Sequence, residues 1–265
     1  MAEALTATGP IWYQVDGPPD APALLLSNSL ATTDALWDGV MAFLATRLRV
    51  IRYDTRGHGR SAVTPGPYSL ATLGADAVAV LDAAGVGRAH YCGISLGGLT
   101  GMWLGLQAPE RIDGLVLANT GAQIGMVEIW NQRIAVVEAQ GMTAIVAPLL
   151  ERWFTAEFRA GVPDTVAGFG RMIAATSPIG YAGAAAAVRD ADLREVIGAI
   201  RAPTLVVVGT RDPATPPELG ELIREKIRGA RLVELNAAHL SNVEQPAAFA
   251  SAVTDFLLNP EPTHG

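Results

Sequence analysis

HYCGISLGGLTG, residues 90–101, joins a short apolar run to a helix-like one through Gly93-Ile94-Ser95-Leu96-Gly97. This is the G-x-S-x-G pattern in the context that gives it meaning, a serine on a tight turn after a predicted strand and before a predicted helix. Backbone at such a turn is strained, so the positions two before and two after the serine must be small, and Gly93 and Gly97 meet that demand. The hydroxyl is then held clear of the carboxyl end of a sheet, and the helix N-terminus behind it favours negative charge. The competing reading of so many glycines, Gly98 and Gly101 included, is a phosphate-cradling loop. No Lys or Arg falls within the stretch to support it.

Working outward, short apolar and β-branched runs recur with helix-length segments between them: IWYQV from Ile11, ALLLS from Ala23, RVIRYD from Arg49, AHYCG from Ala89, GLVLAN from Gly114, TLVVVG from Thr204 and RLVEL from Arg231. That alternation predicts an α/β protein with a mostly parallel sheet. The crossover helices are expected at residues 35–48, 70–84, 96–108, 218–227 and 246–258, most of them closed by Pro, Gly or a polar turn. Between Leu117 and Thr204 the alternation lapses, and a helical insertion rich in Trp and Phe takes its place. The expected division is a core of residues 1–121 and 196–265 with a helical cap at 122–195.

With 265 residues, 50% of them hydrophobic, and a mean hydropathy of +0.28, the chain can bury a large core and carry an elaboration of it. A formal net charge of −7 with scattered Lys and Arg argues against nucleic acid or an anionic membrane as the main partner. No apolar run reaches the ~18 residues that span a bilayer, and MAEALTATGPIW lacks the pattern of a secretory leader. The single cysteine, Cys92, permits no internal disulfide, so the cytoplasm is the expected location. Cys92 itself reads as a small buried hydrophobe.

A serine nucleophile needs a base, and four histidines are available. His264 stands close to the C-terminus, His90 opens the strand that feeds the Ser95 turn, and His58 lies in the Gly-rich DTRGHGRS, where a loop-structuring hydrogen bond is its simpler role. His239, in RLVELNAAHLSN, follows the last strand, at the sheet end where open α/β proteins place their sites. The third member is a carboxylate that fixes the imidazole tautomer. Asp212 ends TLVVVGTRD, one strand earlier; Asp190 and Asp192 fall in the helical insertion. The order Ser95, Asp212, His239 is that of α/β-hydrolases. A tetrahedral oxyanion further requires two backbone N–H donors, one from Leu96 and one from the loop just beyond ALLLS.

On these residues the chain resembles the α/β-hydrolase superfamily throughout, and more narrowly its 3-oxoadipate enol-lactonases. The narrower likeness is carried by SNSLATT at 27, RYDTRGHGRS at 52, CGISLGG at 92, ANTGAQIG at 118, RWFT at 152, GTRDPATP at 209 and AAHLSNVE at 237. Asn28-Ser29 stands where most of the superfamily carries His-Gly, and Ala31 replaces the usual Gly. The resemblance implies an α/β-hydrolase fold with the cap between the sixth and seventh strands. It also implies Leu30 as the second oxyanion donor and opening of 3-oxoadipate enol-lactone to 3-oxoadipate in aromatic-compound catabolism, through an acyl-enzyme. It implies neither metal nor organic cofactor.

An anionic lactone calls for a cation in the pocket. In MVEIWNQRIAVV, at about 100° per residue, Met126, Ile129, Trp130, Ile134 and Val137 form an apolar arc with Arg133 in its middle. Arg133 is expected to face inward, either to bind substrate or to form a structural ion pair between cap and core. Arg152, Trp153 and Phe154 make a second cluster, and for Trp130 and Trp153 packing in the cap competes with lining the pocket. The same triad would also suit a carboxylesterase, a carbon–carbon bond hydrolase or a cofactor-free perhydrolase. A ligand-binding protein without catalysis has no need of the ordered triad.

Overall fold

The structure, a computed structural model, describes residues 2–259. Eight strands form one sheet: β1 (Ala2–Thr6), β2 (Gly9–Asp16), β3 (Ala23–Ser27), β4 (Arg49–Tyr53), β5 (Ala89–Ile94), β6 (Ile112–Ala118), β7 (Thr204–Gly209) and β8 (Arg231–Leu235). Their spatial order is β1-β2-β4-β3-β5-β6-β7-β8. β2 runs antiparallel to both neighbours, and the pairs from β4 through β8 are parallel. Central strands covered on both faces read as unbroken apolar runs, as every buried position of TLVVVG illustrates. The expected α/β class follows from this pattern. β1 escapes it because AEALT buries only Ala4 and pairs as an edge hairpin with β2.

Helices α1 (Asp38–Leu44), α2 (Leu70–Ala83) and α3 (Leu96–Gln107) follow β3, β4 and β5, while α9 (Pro217–Lys226), α10 (Ser241–Glu244) and α11 (Pro246–Leu258) come after β7 and β8. Between β6 and β7 lie α4 (Val127–Gln140), α5 (Val146–Trp153), α6 (Ala156–Gly161), α7 (Pro163–Ala175) and α8 (Pro178–Arg189). Starts are fixed locally: Ser69, Thr155 and Ser177 accept backbone N–H bonds at the N-caps of α2, α6 and α8, and Pro occupies the first turn of α7, α8, α9 and α11. α1 packs on α11 and α2 on α3, flanking the sheet. The first crossover helix is shorter than the expected 35–48. Residues Asp34–Trp37 form a tighter 3-10 turn, and the Leu44 carbonyl takes both the Arg47 and Leu48 N–H, turning the chain toward β4. No helix of the described residues is long and apolar enough to cross a membrane.

The carboxyl ends of β3, β5, β6, β7 and β8 converge. Ser27–Leu30, Ser95, Asn119, Asp212 and His239 stand at or just beyond them, where open α/β sheets hold their ligands.

Candidate active site

Ser95 has φ 58° and ψ −113°, a strained conformation for any side chain. Close packing explains the flanking glycines. A Cβ on Gly93 would run into the backbone of Gly97, and one on Gly97 into the carbonyl of Ser27. The elbow is thus pressed against the end of β3, and the Gly97 N–H donates to the Asn28 carbonyl at 3.1 Å, tying the two together.

This contact places the loop after β3 beside Leu96. The neighbouring amides are taken: Ser95 N–H by Ala118 O, Ala31 N–H by His58 Nε2 at 3.0 Å, and Thr32 N–H by Ser29 O. Among the described residues the Leu30 and Leu96 N–H groups have no partner. The side chains of SNSLATT hold the loop. Asn28 Nδ2 donates to Tyr53 O at 2.7 Å while its Oδ1 accepts from Trp37 Nε1 at 2.8 Å, and Ser27 Oγ meets Tyr53 Oη at 2.8 Å. Ser29 instead lines the cleft.

Ala31, at φ 66°, occupies the left-handed region that glycine enters freely. His58, only 1% exposed, explains how the alanine is kept there. Its Nε2 accepts the Ala31 N–H and its Nδ1 donates to Arg56 O at 3.1 Å, which requires the neutral ring. Burial pulls the His58 pKa below its usual value, against the opposing Arg56 carbonyl and Asp54 charge. The loop-structuring role expected from the sequence is the one seen.

His239 and Asp212 meet directly, Nδ1 to Oδ2 at 2.8 Å, both nearly buried. Asp212 is held from every side. Ala214 and Thr215 N–H donate to Oδ1 at 2.7 and 3.0 Å, and Thr215 Oγ1 and Asn119 Nδ2 donate to Oδ2 at 2.6 and 3.1 Å. Burial alone would raise this carboxyl, but His239 and the Thr215 donors outweigh it and hold the pKa below the ordinary carboxylate value. Asn119 stands at the end of GLVLAN with φ 43°; its Oδ1 accepts from Ser241 Oγ at 2.6 Å and its Nδ2 also reaches Ala238 O at 3.2 Å. Sequence reading quoted this asparagine without giving it a role. The available signal was a polar residue tolerant of positive φ at the very end of a buried strand.

Ser95, His239, Ser29 and Leu30 share one cleft with Ile129, Trp130, Arg133, Arg152, Trp153 and Tyr181, a space of ≈ 640 Å³ counting the solvent at its mouth. No hydrogen bond joins Ser95 Oγ to His239 Nε2 among the described residues; such bonds commonly tighten only around substrate. Trp130 and Trp153 do double duty: each is buried in the packing, Trp130 Nε1 bonded to Ile124 O and Trp153 edge-on to Phe169, and each lines the cleft.

Arg133 faces this cleft with its guanidinium carbon 4.6 Å from the Trp130 ring centre. Among the described residues neither Arg133 nor Arg152 forms an ion pair with a carboxylate, so the cap-to-core ion pair is absent; Arg152 donates to Pro213 O at 3.2 Å. The predicted apolar arc is narrower than the pattern implied. Trp130 and Val137 are buried, but Met126 is 61% and Ile129 41% exposed, because the first turn of α4 stands at the edge of the cleft rather than over the core.

The remaining sequence candidates lie elsewhere. Asp190 and Asp192 pair with Arg189 and Arg194 on the surface. His90 packs at the start of β5 beside Gly114 and Leu257. Cys92 is fully buried and its pKa is pushed up by burial. His264 lies outside the described residues.

Comparison with known proteins agrees with this geometry. A family model described as alpha/beta hydrolase fold matches residues 22–246. The chain is 42% identical over 241 residues to 3-oxoadipate enol-lactonase 2 of Acinetobacter baylyi, covering 91% of this chain and 90% of that one. Among solved structures it superposes on the enol-lactonase from Burkholderia xenovorans LB400 with a TM-score of 0.96 at 39% identity, over 97% of this chain and 100% of that one. A hydrolase from Pseudomonas aeruginosa PA01 follows with a TM-score of 0.93 at 48% identity, over 97% of each chain.

Proposed function

Since the chain belongs to the α/β-hydrolase family, we propose that it is a serine hydrolase opening 3-oxoadipate enol-lactone to 3-oxoadipate, with Ser95, His239 and Asp212 as its triad. The observation that carries the reading is one cleft lined by a strained Ser95, by the His239 of a buried His239–Asp212 pair, by Leu30 and by Arg133. The likeness to enol-lactonases over most of the chain narrows the substrate.

Ser95 Oγ attacks the lactone carbonyl while His239 Nε2 takes its proton, and Asp212 steadies the imidazolium through Nδ1. Leu30 and Leu96 N–H receive the oxyanion. As the tetrahedral intermediate collapses, the bond from the acyl carbon to the ring oxygen breaks. The oxygen leaves as an enolate, takes the proton from His239, and the enol becomes a ketone. His239 then removes a proton from water, which attacks the acyl-enzyme; Ser95 departs with that proton and the second carboxylate of the product is released.

Arg133 binds the lactone's carboxylate, and Trp130 and Trp153 shape the walls around it. Residues 122–195 act as the cap that closes the cleft over the core of 1–121 and 196–265. The acidic balance of the chain and its single cysteine fit a small-molecule enzyme of the cytoplasm with no nucleic-acid partner.

The test follows lactone disappearance with wild type and Ser95→Ala, together with labelling by a fluorophosphonate. Labelling of wild type alone and loss of turnover in the variant are expected; turnover retained in Ser95→Ala refutes the scheme. Arg133→Ala is expected to impair the charged lactone far more than a neutral p-nitrophenyl ester, and equal loss on both would assign Arg133 to structure.

A further inference from the structure

Tyr181, on α8, is 0% exposed, lines the proposed catalytic cleft, and has a hydroxyl with no hydrogen-bond partner among the described residues. Buried hydroxyls are nearly always bonded, so an unmet one in a cleft asks for an explanation. Two guanidinium groups share its surroundings. Burial raises the pKa of the Tyr181 hydroxyl, and the charges of Arg133 and Arg152, which line the same cleft, pull it back. The two arginines also repel each other: burial first, then the Arg133 charge, lowers the Arg152 pKa. Three donors thus line one cleft, and among the described residues the one hydrogen-bond acceptor found for any of them is Pro213 O for Arg152.

We infer that Tyr181, with Arg133 and Arg152, forms a three-pronged carboxylate cradle, and that the Tyr181 hydroxyl is a specificity-determining donor selecting carboxylate ligands over neutral ones. The inference rests on the anionic-substrate reading of the cleft and adds to it the residue that fixes the carboxylate's orientation. Each guanidinium donates to a carboxylate within the plane of its own fork, and the Tyr181 hydroxyl adds one further donor, which an ionised carboxylate oxygen accepts more strongly than the oxygen of a neutral amide.

The experiment uses hydrolysis of neutral p-nitrophenyl acetate by the full chain and competition by adipate or by its neutral analogue adipamide. Wild type should prefer adipate, and Tyr181→Phe should cut the adipate-over-adipamide preference about tenfold, the low end expected for one hydrogen bond to a charged group. Because the substrate is neutral and the probes are simple acids and amides, the result is read whether or not the enol-lactone is turned over. An unchanged preference in Tyr181→Phe, or no preference in wild type, overturns the inference. If circular dichroism finds Tyr181→Phe unfolded, 3-fluorotyrosine placed at 181 supplies a more acidic donor of the same shape. A stronger adipate preference then supports the cradle, and an unaltered one overturns it.

Discussion

Replacing Asn119 probes the support behind the proposed triad. In Asn119→Ala, Asp212 loses one donor at 3.1 Å but keeps Thr215 Oγ1, two backbone N–H groups and His239. A hydrogen bond to a charged group contributes about 1.5–3 kcal/mol; with four donors left the lower value applies, which corresponds to about tenfold in kcat/KM. Stability falls for separate reasons. Ser241 Oγ and Ala238 O lose their partner, and alanine must adopt the φ of 43° that asparagine tolerates. Asn119→Gly separates the two effects, since glycine removes the backbone penalty and the same hydrogen bonds are lost. Steady-state kinetics on a neutral ester and urea titration of both variants provide the assay. Equal losses of about tenfold in kcat/KM are expected in both, with the alanine variant no more stable than the glycine one. If Asn119→Ala retains kcat/KM while its stability drops, the asparagine supports loops alone and the reasoning fails.

Further expectations concern the proposed oxyanion loop. Gly97→Ala forces a methyl into the Ser27 carbonyl and parts the Gly97–Asn28 bond, so kcat should fall at least ~100-fold, as when an oxyanion donor is lost; near-normal kcat would contradict the packing account. At Ala31, glycine relieves about 1–2 kcal/mol of left-handed strain, but unfolded-chain entropy of about 0.4–1 kcal/mol and a buried methyl worth about 0.8 kcal/mol offset it. Ala31→Gly should therefore leave the denaturation midpoint nearly unmoved, whereas Ala31→Val should lower it clearly. For His58, the folded pKa is depressed, so its contribution to stability is present above the ordinary value of 6.5 and declines as pH falls below it. Thermal melts at neutral and mildly acid pH should show an acid-linked loss in wild type that His58→Ala lacks.

The sheet was legible in the sequence because its central strands are apolar on both faces and end in turn residues, with the glycines around Ser95 adding a steric demand few other contexts make. Ser95, Asp212 and His239 could be ordered from motif and position alone. What the pattern could not give was anything decided by contacts between distant segments. The Gly97–Asn28 bond, the His58 acceptor behind Ala31 and the Asn119 donor behind Asp212 each join residues far apart in the chain. The helical arc around Arg133 failed at Met126 and Ile129 because periodicity marks a face without saying where the core beneath it ends.

The most direct test of the account compares kcat/KM for 3-oxoadipate enol-lactone and for p-nitrophenyl acetate on the same preparation. The proposed oxyanion site, together with an Arg133 that no carboxylate of the described residues pairs, should favour the charged lactone by orders of magnitude. Comparable specificity constants would contradict it and leave a general esterase.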